Sequence, residues 1–509
     1  MATALAIGAR RELFVDGVLA ERLAGQAALR LHHPVPREVA LVTDRPWEGN
    51  GTNYVTVFAD GGRYRMYYRG CQCSYLDGRD RPNHRDVYCY AESTDGLHWT
   101  RPDLGLYEWE GTRHNNIVWL GGEGTNAENF APFLDTNPDC SPAARYKALG
   151  VGAQVPGLYA AGSPDGIRWS LLAPAPVITC GDFDSHNVAF FDAELGQYRE
   201  YHRHGRAGRD IRTAVSADFL HWSAPEYLEY AALVDAGPAG VRAGDVQDVP
   251  GAPHPPGRVS ELYTNQVAPY HRAPHLLLGF PTRYLDRGWT ASAQALPRPE
   301  YRRLRAARSQ REGTALTDGM LMASRDGRLF RIWPESFLRP GLRLRDSWFY
   351  GDTYQGWGLI ETASTLDDGP PELSLFVTER TLQDVPAVLR RYTLRLDGFV
   401  SVWAPLAGGE LVTPPLTFAG NCLELNLSTS AAGGVRVEIQ DAAGRPIPGF
   451  ALDECHEQYG DALDRLVSWT DGADVSRLSG LPIRLRLVLR DADVYALRFA
   501  SSPRAARAA

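Results

Sequence analysis

The chain of 509 residues has no long apolar run. None of its stretches approaches the ~20 residues needed to cross a bilayer. At the start, only the four residues Ala4 to Ile7 are continuously apolar, with no basic residue before them. A secretory signal needs a longer apolar core behind a basic start. These absences predict a cytoplasmic chain without a membrane partner. Basic excess is missing too: 53 Lys and Arg against 61 Asp and Glu give a formal charge of -8. A general nucleic-acid binder usually shows a basic face, so no nucleic-acid partner is expected. Cysteine is sparse and unpatterned. The seven are Cys71, Cys73, Cys89, Cys140, Cys180, Cys422 and Cys455. Cys71-Gln72-Cys73 is too tight for a zinc knuckle and has no matching pair, so the thiols read as free. There is no Gly-x-Ser-x-Gly elbow, phosphate loop or dinucleotide fingerprint. His202 and His204 share one face of a strand but have no third metal ligand.

What the chain has is turn-formers and aromatics: 50 Gly, 35 Pro, 12 Trp and 23 Tyr. That suits many short strands joined by tight turns. The length exceeds one core and predicts two or three domains. A pattern Ser-x-Asp-Gly-x-x-Trp recurs, first as Ser93-Thr94-Asp95-Gly96-Leu97-His98-Trp99 and again as Ser163-Pro164-Asp165-Gly166-Ile167-Arg168-Trp169. Ser216 to Trp222 repeats it with Phe219 in the Gly place, and Ser324-Arg325-Asp326-Gly327 is a looser copy with Trp333 beyond. Asp-Gly supplies the left-handed residues of a hairpin turn, and the Trp can pack over a neighbouring sheet. Ahead of two copies stands an extended segment, a turn and an aromatic strand: residues 54–60 then 62–68, and 188–192 then 196–201. Together these make four strands per unit, the composition of a propeller blade. A fifth blade is expected over residues 346–396, with residues 12–15 helping to close the ring. The Arg-rich residues 297–313 read as a solvated flap. From residue 398 the chain alternates apolar and polar, as in Leu423-Glu424-Leu425-Asn426-Leu427, which indicates an antiparallel sandwich. The expected fold is therefore all-β: a five-bladed β-propeller over residues 1–397, then a C-terminal antiparallel β-sandwich over 398–509.

This architecture, with the Asp-Gly-x-x-Trp repeats, resembles the invertase and levanase type of glycoside hydrolase. Arabinanases and β-xylosidases share that propeller. The opening Leu13-Phe14-Val15-Asp16 is similar to a divergent bacterial branch. The resemblance implies hydrolysis or transfer of a furanoside, a fructofuranoside or arabinofuranoside, with an oligosaccharide or glycoside as substrate. It leaves open a pyranoside-active or phosphorolytic enzyme, and a non-catalytic carbohydrate-binding propeller. It implies no required cofactor, leaves room for a structural Ca²⁺ or Na⁺ on the propeller axis, and allows a homo-oligomer through the sandwich.

Such enzymes set two carboxyl groups on opposite sides of the glycosidic bond. The resemblance places the general acid at Glu261, in Ser260-Glu261-Leu262-Tyr263, and a transition-state stabiliser at Asp184, in Phe183-Asp184-Ser185-His186-Asn187. Asn53 stands where the family's nucleophile falls, so Glu48 in Pro46-Trp47-Glu48-Gly49 is the candidate nucleophile or base. Asp318 and Asp352 are the other candidates for that missing acid, or else sugar ligands. Trp47, Asn53, His186, Asn187, Arg203, Asn265 and Arg283 complete the expected substrate-binding set. Tyr263, Tyr354 and Trp357 are further candidates for stacking on a sugar face.

Overall fold

The computed structural model describes residues 4–74, 83–122, 124–206, 208–232 and 261–501. Among these the chain is almost entirely β. Five antiparallel sheets follow one another along the sequence. Sheet one runs Thr56–Asp60, Arg63–Gln72, His84–Ser93 and Ile117–Trp119, and sheet two Thr125–Leu134, Tyr146–Gly152, Leu158–Ser163 and Ser170–Leu171. Sheet three is Val188–Asp192, Gln197–Gly205, Arg209–Ser216 and Glu226–Tyr227. Sheet four joins Ala268–Tyr270, Ala273–Gly279, Met322–Ser324 and Leu329–Ile332, with Glu229–Ala232 added in parallel at its edge. Sheet five joins Tyr354–Gln355 and Ile360–Thr362 to Glu372–Glu379, Val388–Arg395 and Val35–Val42.

The repeated turn has one chemistry in four places. Asp95 Oδ1 accepts the N–H groups of Leu97 and His98, both at 2.8 Å, while Ser93 Oγ accepts Gly96 N–H at 2.9 Å. Ser163, Ser216 and Ser324 each take the equivalent N–H at 2.9 Å. The receiving residue always has a left-handed φ: 74° at Gly96, 76° at Gly166, 71° at Phe219 and 78° at Gly327. The glycine also leaves room for the preceding sheet. A Cβ on Gly166 would lie 2.7 Å from Tyr67 Oη, and that hydroxyl donates to Gly166 O at 2.8 Å. Likewise Tyr201 Oη donates to Gly327 O at 2.9 Å. The turn therefore locks each sheet to its neighbour. The tryptophans add to this: Trp99 meets Phe376 of sheet five edge-on at 5.4 Å, and Trp169 meets Tyr67 of sheet one at 6.4 Å.

The fifth sheet returns to the first. Val57 N–H donates to Trp357 O at 2.8 Å and Trp357 N–H to Val55 O at 2.7 Å, a parallel contact between first strands. The strand that completes sheet five from the chain's start is Val35–Val42, paired with Val388–Arg395. This corrects the expectation for residues 12–15. Arg11–Leu13 instead pairs with the final long strand, Arg11 opposite Arg498, because Leu13, Phe14 and Val15 are all needed in the core there.

Glu261–Leu262, Thr282–Asp286 and Ala315–Gly319 form a separate three-stranded antiparallel sheet, and the remaining strands form a ten-stranded one. Leu5–Gly8, Arg11–Leu13, Arg22–Gly25 and Ala28–Leu31 join six strands from Val400–Ala404 to Ile483–Ala500. Residues 5–31 thus belong to the same sheet as the C-terminal strands. Its long members, Cys422–Asp441 and Ile483–Ala500, pair over most of their length. The core beneath them runs without a break into sheets four and five. At that junction Asp397 is fully buried. It accepts from Tyr270 Oη at 2.8 Å, Arg272 Nε at 2.9 Å and Asn426 Nδ2 at 3.1 Å, with Arg11 at 3.2 Å. These partners hold its carboxyl below the usual aspartate range against the opposing effect of burial.

Residues 297–313 are not a solvated flap. They form the helices Pro299–Arg308 and Gln310–Thr314, and Arg302 and Arg305 are buried. Arg302 donates to Trp348 O at 2.6 Å and lies 3.9 Å from the Phe349 ring centroid. Burial pushes its guanidinium down to about 10. The backbone carbonyls and aromatic face of residues 347–350 draw the segment down onto the protein. All seven cysteines are free, and no described helix is long and apolar enough to cross a membrane.

The Asp397 cluster yields a direct test. Asp397→Asn keeps the residue's left-handed φ of 63° but removes the charge facing Arg11 and Arg272. A loss of about 3 kcal/mol is expected in chemical denaturation, as when one partner of a buried ion cluster is deleted. A loss below about 0.5 kcal/mol, within the range of ordinary surface substitutions, would contradict it.

Candidate active site

The segments entering the first strands of sheets one, four and five come together. Tyr54, Tyr263, Tyr284, Tyr350 and Tyr354 form one buried cluster there. Tyr350 Oη donates to Tyr263 Oη at 2.7 Å. Three entering residues hold left-handed backbone without being glycine: Tyr54 at φ 53°, Gln266 at 49° and Thr353 at 62°. Strain of this kind persists where the surroundings impose it, and it concentrates at functional sites.

Charged groups alternate around this tyrosine floor. Arg203, on the second strand of sheet three, pairs with the exposed Asp184 at 3.0 Å and stands 5.0 Å from the Tyr263 centroid. Arg209 pairs with Glu261 and lies 4.9 Å from Tyr263 and 4.6 Å from Tyr284. Gly208, at φ 127°, makes room for Glu261: a Cβ there would come within 2.9 Å of the Glu261 side chain. On the opposite side Arg69 holds Asp86 at 2.9 Å and approaches Glu128 at 3.8 Å. Glu128 lies in the first strand of sheet two. Burial raises its pKa above the ordinary glutamate value; Arg69 opposes this, and the charges of Asp184 and Asp86 add to it. Four carboxyl groups therefore share one mouth, and burial shifts Glu128 toward its protonated form.

The expected residues divide in three. Asp184, Arg203 and Glu261 line this mouth, together with Asn53, which is half-buried with its Oδ1 unpartnered among the described residues. A second group lies below, at the axis. His186 Nδ1 faces Gln266 Oε1 at 3.1 Å and its Nε2 faces Thr56 Oγ1 at 3.3 Å. Asn187 donates to Phe183 O and Ser185 O, and Asn265 to His186 O and Tyr201 O. These side chains brace backbone and face no open space.

The third group sits elsewhere. Glu48 is fully buried within sheet one, with Tyr68 Oη at 2.6 Å and Arg101 Nη1 at 2.8 Å. Its expected role as nucleophile fails because both carboxylate oxygens are consumed inside the sheet's core. Trp47 packs in that core and donates to Asn116 Oδ1 at 2.7 Å, so it presents no face to a sugar. Arg283 and Asp318 bind each other through two contacts of 2.9 and 2.6 Å. Asp352 accepts the N–H groups of Phe349 at 3.1 Å and Thr381 at 2.9 Å, and burial pushes it up to about 7.

A structural cation on the axis finds no cradle at His186, whose two ring nitrogens are both engaged by protein groups. Among the described residues no cluster of three or more His, Cys, Asp or Glu could hold a metal. His202 is buried between Glu200 at 3.0 Å and Cys180 O at 3.0 Å, which anchors the loop before Asp184.

Sequence reasoning missed Glu128, Arg69 and Arg209. A signal for Glu128 was present. Glu128-Asn129-Phe130 in sheet two corresponds to the polar residues that end in Asn187-Val188 in sheet three. Asn129 and Asn187 both donate to the carbonyl of Phe183.

No family model matches the chain. Two uncharacterized proteins of Mycobacterium tuberculosis are similar to it, one 28% identical over 126 residues and the other 29% over 120. Each match takes 24% of this chain and spans about a third (34%) of the relative's length. Among solved structures, an N-acetylgalactosamine deacetylase from F. plautii is 12% identical, covering 72% of this chain and 94% of its own, with TM-score 0.43. The catalytic domain of an α-L-arabinofuranosidase of Coprinopsis cinerea is 10% identical over 71% of this chain and 97% of its own, with TM-score 0.41. An α-L-arabinofuranosidase of Clostridium thermocellum ATCC 27405 is 11% identical over 68% and 91%, with TM-score 0.39. At these scores the functional reading has to come from the residues themselves.

Two buried groups give opposite pH signatures. Burial drives His186 from 6.5 down to about 3, so the fold favours its neutral form. That contribution is complete above pH 6.5 and is lost as pH falls toward 3. Asp352 is raised from 3.8 to about 7, so its contribution is complete below 3.8 and is lost as pH rises through 7. Melting temperatures across this range should fall on both sides. Asp352→Asn should flatten the alkaline side and leave the acid side unchanged; an unaltered alkaline slope would contradict the assignment.

Proposed function

We propose that the five sheets are the blades of a five-bladed β-propeller backed by a β-sandwich, and that the chain is a glycosidase, hydrolysing or transferring an O-glycosyl bond at the mouth of the ring. The propeller extends to about residue 397 and the sandwich follows, with residues 5–31 contributing strands to it. Supporting the activity is one observation above all: Glu128 is a carboxyl group shifted toward its protonated form, beside the separate, solvent-exposed carboxylate of Asp184. A carboxyl group biased toward its protonated form, paired with a second carboxyl group, is what glycosidic cleavage requires. Glu128 is the proton donor to the leaving oxygen. Asp184 stabilises the oxocarbenium-like transition state or activates water, and Arg203 holds it in place. The buried tyrosine floor supports Arg203 and Arg209 beneath the site, and a furanoside is the substrate class expected. Glu261, tied to Arg209, serves as a wall of the site.

The assay is a panel of aryl furanosides and pyranosides against the wild type, Glu128→Gln, Asp184→Asn and Glu261→Gln. Loss of general-acid catalysis lowers kcat by roughly 10²- to 10⁴-fold in Glu128→Gln. Activity falls as pH rises through the elevated pKa of Glu128, and that limb disappears in the variant. Equal rates in the wild type and Glu128→Gln would reject this assignment. Asn53 favours a second reading, a carbohydrate-binding ring without turnover, because the strand start of sheet one carries no acid. Sugar binding without cleavage anywhere in the panel would select it.

A further inference from the structure

The arginines of the mouth are unevenly matched. Arg203 faces Asp184, Arg209 faces Glu261 and Arg69 faces Asp86. Arg311 lies on the helix Gln310–Thr314, is hydrogen-bonded to Tyr350 and Tyr263, and has no carboxylate partner among the described residues. Its Nη1 donates to Tyr350 Oη at 3.0 Å, and the guanidinium stands 5.0 Å from that ring's centroid. Tyr350 is in turn bonded to Tyr263, the ring over which Arg203 and Arg209 stand. Arg311 is half-buried and oriented by this contact rather than swung out into water.

A second donor is unused. Arg203 Nη1 is buried without a hydrogen-bond partner among the described residues, on a side chain only 9% exposed. A buried donor without an acceptor is expensive, and a ligand oxygen at the mouth would satisfy it. Guanidinium groups bind planar oxyanions through paired N–H contacts.

We propose that the mouth selects an acidic sugar, with Arg311 taking the carboxylate of a uronic acid and Arg203 Nη1 taking a neighbouring sugar oxygen. This narrows the substrate class of the proposed glycosidase to a uronic acid, the charge rather than the ring size being what the mouth reads, and rests on that reading for its role in catalysis, though not for binding. The docked insert is then a specificity element. Arg302 and Arg305 fix it to the protein, and Arg311 is the residue it delivers.

The test is calorimetric titration of the full chain with D-galacturonate, D-galactose and inorganic phosphate, in the wild type, Arg311→Met and Arg311→Lys. The wild type should bind galacturonate at least about tenfold more tightly than galactose. The ratio should fall to near one in Arg311→Met and stay intermediate in Arg311→Lys, which keeps charge but loses the fork. Equal affinities in the wild type, or a ratio unchanged in Arg311→Met, would overturn the proposal. Phosphate binding that depends on Arg311, with no galacturonate binding, would overturn the acidic sugar and assign the subsite to free phosphate. If the variants do not fold, phenylglyoxal labelling of the wild type reads the same contact: galacturonate should protect Arg311 and galactose should not. Turnover is not measured, so failure here leaves the glycosidase reading standing. A chain that selects galacturonate yet cleaves no glycoside keeps the subsite and loses the enzyme.

Discussion

Much of this fold depends on satisfying buried backbone groups where its sheets meet. Buried carbonyls and amides left unpaired there would be costly. Side-chain amides and rings take the place of a β-ladder. Gln355 Nε2 donates to Phe280 O and Met320 O, Gln266 Nε2 to Gln355 O, and Trp357 Nε1 to Val267 O. His186 sits among them as a neutral ring. These groups weld the sheets at their centre and form a rigid, uncharged base, above which the charged residues of the mouth are held.

That base explains why the mouth can keep opposite charges in fixed alternation. Arg203 and Arg209 each stand over a tyrosine face, so their carboxylate partners are oriented as well as neutralised. Glu128 has no such close partner among the described residues: Arg69 stands 3.8 Å away and is shared with Asp86. Burial therefore prevails over its arginines and raises its pKa, as a general acid needs.

The sheets were legible because their turns demand particular residues. A left-handed position with two backbone N–H groups to satisfy selects Ser, Asp and Gly at fixed offsets, so the repeat shows in the sequence. Phe219 shows the limit: packing against Phe133 and Tyr198 offsets the strain of a non-glycine there. Asp184 and Glu261 were named through the resemblance, and each lies against an arginine, Arg203 and Arg209, that local pattern does not announce. Glu48 misled because an acid between an aromatic residue and a glycine looks like a loop carboxylate, whereas Tyr68 and Arg101, distant in sequence, draw it into the core. Glu128 was hidden because it lies inside the strand Thr125–Leu134, where a single acid reads as the polar face of a sheet. Arg311 was hidden in an insert whose burial depends on carbonyls of residues 347–350, which no local pattern reveals.

The strand Val35–Val42 finds its partner only at Val388–Arg395, and Arg11–Leu13 only near residue 498. During synthesis at ~5–20 residues per second, these first-made segments wait on the order of 20 to 100 s for their partners. For that interval sheet five has no outer strand and the first strands of the ten-stranded sheet have nothing to pair with. Assembly must therefore finish from both ends of the chain at once. A nascent chain stalled anywhere before residue 388 would expose unpaired strand edges, the surfaces most prone to joining other copies.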